Sequence, residues 1–404
     1  MDDRIVLGLG GTVDYEIEWD ERRLDELVAL HGIVPSELSR QAPIESERDL
    51  VRTLAAFVAD GVGGERFVAT SAIVEGFAAR FDKRITLGGT CVRAAIALDR
   101  MGVASTVHLV SIDDHVRRLL PASTTVISSA SRDTTDPHLI VQYPAGASVR
   151  VGSSRYTARH PNRVIYTNDP PNRELVISPA LPAATARAAV FLVSGFNTIQ
   201  SEEVLEARLG RVIAAIDAVP DAGLVVYEDA GYHLPSFTEP VRRRLLGAVD
   251  LWSMNEDELQ HYLGRAVDLL DAADVLAALR ELRVRFAGPA LVVHTRHWSA
   301  VQAEAPVSWA AAVQGGITMA STRYLHGDEW TADDYRVTGS LPRQHQAVEL
   351  ASAVHAAAGD GSVLVLPAFD LVTERPTTIG LGDSFAGGLV EVLSRETAEV
   401  AATG

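Results

Sequence analysis

Three scarcities in this 404-residue chain remove whole classes of function before any motif is considered. Cysteine occurs once, as Cys91, so there is no intrachain disulfide framework and no multi-cysteine zinc or iron–sulfur site. Lysine also occurs once, as Lys83, and every other strongly basic residue is arginine. A G-x-x-x-x-G-K-[ST] phosphate loop is therefore excluded, and the protein-kinase set fails for want of an H-R-D loop. Long apolar runs are missing too. Arg, Pro or Gly breaks each one well before the roughly 18 residues of a membrane span. Basic residues are outnumbered 36 to 53, for a formal net charge of −17, and no long basic run occurs. That balance argues against nucleic acid or an anionic membrane as a partner. The acidic start, Met1-Asp2-Asp3-Arg4, lacks the apolar core of a signal peptide, and a cytoplasmic protein is expected.

What is present is a large apolar fraction, 47%, ample for a packed core. Short apolar runs recur at Ile5–Leu9, Val190–Val193, Leu224–Tyr227, Leu251–Met254, Leu291–His294 and Val363–Leu366. Amphipathic stretches of helical period lie between several of them, notably Glu202–Val219 and Ala272–Arg283. Such alternation predicts an α/β fold, a parallel sheet with helices on both faces. A different texture fills about 123–178, where Thr124–Ser128, Leu139–Tyr143, Ser148–Gly152 and Val164–Thr167 read as strands joined by Gly, Pro and Asn turns. Asp14–Trp19 alternates in the same way, and helical patterns cover 21–30, 46–60 and 70–81. The expected organisation is one large α/β domain, mainly 1–13, 86–122 and 179–404, with a smaller β-rich lid from about 14–85 and 123–178.

The strongest local signal is Gly380-Leu381-Gly382-Asp383, running into a helix of small and apolar residues. Glycines at a helix start let backbone N–H groups point at an anion, and the helix dipole favours negative charge there. An Asp in the first turn can take a proton from a hydroxyl beside that anion. Together these could form the core of a phosphoryl transferase that has no phosphate loop. The plain alternative is a glycine turn with Asp383 as a local helix cap.

Asn255-Glu256-Asp257-Glu258 follows an apolar run and supports two compatible readings. One is a carboxylate patch able to hold Mg²⁺ through water; the other is a helix capping box. Glu228 and Asp229 end another apolar run, where ligands gather in open α/β sheets. Asp14, after the glycines at 8, 10 and 11, could bind sugar hydroxyls. Gly88 and Gly89 precede a helix running through Met101, serving either ligand approach or close packing. His294 and Thr295 end a strand. Arg163 is a candidate phosphate partner on the lid. A phosphorylated acceptor would want a cationic pocket near Asp14 and Gly88, which Lys83, Arg84 and Arg93 could supply.

Taken in order along the chain, these residues resemble the ADP-dependent glucokinase/phosphofructokinase family, within the ribokinase-like superfamily. The resemblance implies that Asp383 is the catalytic base, with Gly380, Leu381 and Gly382 as the anion hole. It implies that Asn255 and Glu258 belong to an N-x-x-E motif organising Mg²⁺, with Glu228 as the carboxylate of an H-x-E motif. Val226 stands where the family has His, which leaves metal placement open. Asp14, Gly88 and Gly89 would bind the acceptor sugar; Arg163, His294 and Thr295 would face the nucleotide. The implied partners are ADP and, as acceptor, glucose or fructose 6-phosphate; an ATP-dependent kinase of another sugar or nucleoside is the alternative on the same fold. A non-catalytic nucleotide- or sugar-binding protein on the same scaffold is the alternative from another class. A chain with its own lid can close a site alone, so a monomer is expected.

Overall fold

The computed structural model describes residues 4–359, 361–374 and 376–403; Met1–Asp3, assigned above to the large domain, fall outside them. In chain order the strands are β1 (Ile5–Leu7), β2 (Thr12–Glu18), β3 (Gly64–Phe67), β4 (Arg84–Gly88), β5 (Ser105–Leu109) and β6 (Thr124–Ser128). Next come β7 (His138–Tyr143), β8 (Ser148–Val151), β9 (Ser154–Thr157), β10 (Asn162–Thr167) and β11 (Val190–Val193). The last are β12 (Leu224–Glu228), β13 (Leu251–Asn255), β14 (Ala290–His294), β15 (Trp298–Gln302) and β16 (Val363–Pro367).

Nine of these form one sheet, in the order β16-β15-β14-β13-β12-β11-β1-β5-β6. From β14 to β6 every pairing is parallel, and only β15 runs against its neighbours. Helices cover both faces, as the strand–helix alternation requires. On one face, the side chains of Ile5, Leu7, Leu192 and Val226 pack with the helices Thr90–Arg100, Ala310–His326 and Leu381–Thr403. The opposite face buries Phe191, Val225, Trp252 and Val293 against the helices Glu202–Ile216, Ala272–Arg285 and His345–Ala358.

The helix carrying Asp383 is held at unusually close range. A Cβ on Gly315 would lie 2.7 Å from the Gly388 carbonyl oxygen, so Ala310–His326 and Leu381–Thr403 touch backbone to backbone. Only glycine permits that approach.

The smaller body is a five-stranded sheet, β3-β10-β7-β2-β4, backed by the helices Glu21–Leu30, Glu47–Asp60 and Ser71–Ala78. Period-two alternation along β2 explains its orientation. Val13, Tyr15 and Ile17 are buried in the same apolar cluster as Leu24, Leu54 and Phe77 of those helices. Thr12, Asp14 and Glu16 therefore share the opposite face, toward the large domain, with His138 and Thr86 beside Asp14 on the flanking strands. Two contacts tie the lid's edges down: Arg84 on β4 pairs with Asp328, and Glu65 on β3 lies 3.4 Å from His233.

Two boundaries differ from the sequence expectation. Thr124–Ser128 pairs in parallel with β5 and is the edge strand of the large sheet, not part of the lid. An edge strand alternates polar and apolar residues whichever sheet it closes, so its pattern carries no address. The second boundary is shifted by a few residues: β2 begins at Thr12, and β4, at Arg84–Gly88, pairs with it in the smaller sheet. Among the described residues no helix is long and apolar enough to cross a membrane.

Candidate active site

Glu228, Asn255 and His294, at the carboxyl ends of β12, β13 and β14, gather at the start of the C-terminal helix. Gly380 has φ +69, and its added Cβ would lie 2.5 Å from Arg93 Cδ, so the turn demands glycine twice over. Asp383 sits in the first turn of that helix but does not act as a local cap. Its Oδ1 accepts a 2.8 Å hydrogen bond from Thr90 Oγ1, and its Oδ2 lies 3.6 Å from Arg93 Nε. Both partners come from the helix Thr90–Arg100, almost 300 residues earlier in the chain. The Asp383 side chain keeps 24% exposure, enough to meet a substrate.

Beside it stands a buried carboxylate. Glu228, at the end of β12, receives His294 Nε2 on Oε1 at 2.9 Å, while its Oε2 has no hydrogen-bond partner among the described residues. Gly382 is packed against this pair: a Cβ there would be 3.4 Å from the His294 ring and 4.0 Å from Glu228 Oε1. Burial lowers the basicity of His294, but the Glu228 carboxylate outweighs it and holds the imidazole pKa above its usual value. Phe385, one turn into the C-terminal helix, stacks on the same ring at 4.5 Å. Val226 itself is fully buried in the core. An imidazole therefore does reach Glu228, but from β14, two strands away, instead of from two residues upstream.

Asn255 and Glu258 form the capping box. Asn255 Oδ1 accepts from the Asp257 and Glu258 amides at 2.7 and 3.2 Å, and Glu258 Oε2 accepts from the Asn255 amide at 2.9 Å. Burial first, then the neighbouring Asp229 carboxylate, pushes the Glu258 pKa up to about 7. Asp229 is itself pushed up to about 6 by burial, against hydrogen bonds from Tyr262 and Trp252. Among the described residues no three carboxylate, imidazole or thiolate side chains converge to hold a metal directly. The unpartnered Glu228 oxygen still suits a hard cation of the Mg²⁺ type, which keeps most of its waters and shares its remaining positions with phosphate oxygens.

A cavity of about 530 Å³ opens between these groups and the helix Ala310–His326. Asn255, His294, Leu381 and Gly382 line its inner end; Ile317, Tyr324, Phe369 and Leu371 make an apolar wall. Thr295 borders it, but its hydroxyl is spent on the hairpin between β14 and β15, donating to the Trp298 carbonyl at 2.8 Å.

A model of the ADP-specific phosphofructokinase/glucokinase conserved region matches residues 3–390. The chain belongs to that family. It is an ADP-dependent sugar kinase. A phosphofructokinase from Pyrococcus horikoshii OT3, solved with AMP, is similar in structure at a TM-score of 0.78, with 16% identity and 97% of each chain covered. An inferred last common ancestor of ADP-dependent phosphofructokinases from Methanosarcinales gives 0.74, 17% identity and coverage of 98% and 94%. An ADP-dependent kinase in complex with fructose 6-phosphate and ADPβS gives 0.70, 16% identity and coverage of 97% and 94%. No curated protein sequence matches the chain.

In this kinase, Asp14 is 4% exposed, hydrogen-bonded by Thr12 Oγ1 at 2.7 Å and by Arg93 at 2.9 Å. A Cβ on Gly88 would collide with both Asp14 and Thr12, and Gly89, at φ +85, lets the next helix start against Gly11. The glycine pair thus serves close packing around Asp14. The cations expected near this pocket are otherwise engaged. Lys83 sits over the Tyr15 ring, Arg84 pairs with Asp328, and Arg93 is ringed by carboxylates. Arg163 stands apart from the cluster, exposed at the far end of β10 opposite Gln142. Arg93, expected in a phosphate pocket, instead bridges Asp14 and Asp383; the residues that motif reading missed are Thr90, Arg323 and the His138–Asp169 pair, hydrogen-bonded at 3.0 Å beside Asp14. No spacing rule connects positions so far apart in sequence.

Proposed function

We propose that this kinase moves the terminal phosphoryl of ADP to a sugar hydroxyl, of the glucose or fructose 6-phosphate class, with Asp383 as the base. The observation that carries this reading is the non-local setting of Asp383: its carboxylate is held by Thr90 and by Arg93, which also contacts Asp14 of the smaller sheet, beside a positive-φ glycine turn at a helix start. Asp383 takes the acceptor hydroxyl's proton as that oxygen attacks in line. The amides of Gly380, Leu381 and Gly382 meet the charge that develops on the moving phosphoryl. The cavity lined by His294 and Phe369 takes the nucleotide, and the face of β2 carrying Asp14 takes the sugar. Glu228 would hold a divalent cation, with Asn255 and Glu258 ordering its water shell; the cation would neutralise phosphate charge during transfer. The lid, fastened at both edges, keeps water from the phosphoryl.

The test is a product assay by mass, with ADP or ATP as donor, glucose or fructose 6-phosphate as acceptor, and metal omitted as control. Metal-dependent sugar phosphate formed from ADP supports the reading. Nucleotide binding without product from any pair overturns it.

A further inference from the structure

Arg93 touches both domains at the point where they meet. It lies one turn into the helix Thr90–Arg100 and is 4% exposed. Its terminal nitrogen is 2.9 Å from Asp14 and 3.8 Å from Glu16, both on lid strand β2, and its Nε is 3.6 Å from Asp383 of the large domain. Its methylene arm fills the space a side chain at Gly380 would need. Thr90, three residues earlier on the same helical face, holds the other oxygen of Asp383. One helix thus grips both oxygens of that carboxylate. A second buried arginine supports the same turn: Arg323 Nε donates to the Ile379 carbonyl at 2.9 Å. In a planar trans peptide this faces the Gly380 N–H away from Arg323.

We infer that Arg93 is a positioning residue that couples lid placement to the base, setting the Asp383 carboxylate only when β2 lies over the start of the helix Thr90–Arg100. The inference rests on Asp383 acting as the base. Of the two roles open to Arg93, a cationic pocket for a phosphorylated acceptor and a bridge between carboxylates, the geometry favours the bridge. Asp14, Glu16 and Asp383 surround the guanidinium and already exceed its single charge. Lysine cannot replace this function fully, because an ammonium is a point charge without the planar fork that reaches two carboxylates at once.

The experiment measures kcat, both KM values and thermal unfolding for Arg93→Met, Arg93→Lys, Thr90→Val and the double variant Arg93→Lys/Thr90→Val. Arg93→Met should lose about 100-fold in kcat, the scale of a roughly 1 Å misplacement of a catalytic group, with the KM for ADP nearly unchanged. Arg93→Lys should recover part of that loss. The Lys and Val changes should be non-additive, since both act through one carboxylate. A folded Arg93→Met enzyme turning over within about threefold of the parent overturns the inference, as does simple multiplication of the two single effects. If Arg93→Met fails to fold, the Lys/Val cycle decides alone. Either failure would leave a large effect of Asp383→Asn intact, whereas failure of the base assignment itself would abolish that effect.

Discussion

Replacing Gly380 with alanine tests the anion-hole turn at a position where the cost can be worked from geometry. At φ +69 a residue with a Cβ is disfavoured by about 1–2 kcal/mol. The added methyl would also stand 2.5 Å from Arg93 Cδ and 3.1 Å from its Nη1. Arg93 cannot retreat, because it is buried and pinned by Asp14, so the turn itself must move, adding about 1–3 kcal/mol of overpacking. Moving the turn misdirects amides that face the phosphoryl, and one lost donor of that kind costs about 100-fold or more in kcat. The control is Gly102→Ala, also at positive φ (+75) but with nothing within 4 Å of the new methyl. It should lose only the backbone cost, about 1–2 kcal/mol, with turnover unchanged. Steady-state turnover and thermal melts of both variants give the comparison. If Gly380→Ala keeps turnover within about threefold of the parent, or loses no more stability than the control, the assignment of this turn is wrong.

Two further outcomes follow from buried polar groups. Glu228→Gln should raise the divalent-metal concentration needed for half-maximal rate by about 10–100-fold; a metal titration at saturating ADP reads this, and an unchanged midpoint would remove Glu228 from the metal's surroundings. His108 is fully buried and accepts a hydrogen bond from the Ser178 amide at 2.9 Å, and burial pulls its pKa down from 6.5 to about 4. The unfolded chain therefore takes up this proton first as pH falls. Stability should be full above about pH 6.5 and lose about 3 kcal/mol on the way to pH 4. Denaturant unfolding across that range should show the slope in the parent and a flatter one in His108→Gln; equal slopes would contradict the buried neutral imidazole.

Much of this architecture is legible in local pattern. The parallel strands announce themselves as short apolar runs because both faces of their sheet are covered. Along β2, alternation put Asp14 on the face opposite Val13 and Tyr15, and Asn255 with Glu258 showed both a cap and a carboxylate site, of which the cap is formed. Other features depend on contacts between distant segments. Thr90 and Arg93 reach Asp383 only after the lid has been inserted and the chain has returned, and His294 meets Glu228 across an intervening strand. Thr124–Ser128 has the same texture as the lid strands but a different partner, because pairing is chosen by register and topology and not by composition. β5, reading Ser-Thr-Val-His-Leu, carries almost no apolar signal although every residue in it is buried.

Phosphoryl transfer here depends on proton removal by one carboxylate. Asp383→Asn keeps the shape and the Thr90 contact but cannot accept the hydroxyl proton. Turnover of that variant, measured beside calorimetric binding of ADP and sugar, should fall by at least about 100-fold with both affinities nearly unchanged. Turnover close to that of the parent would contradict the mechanism.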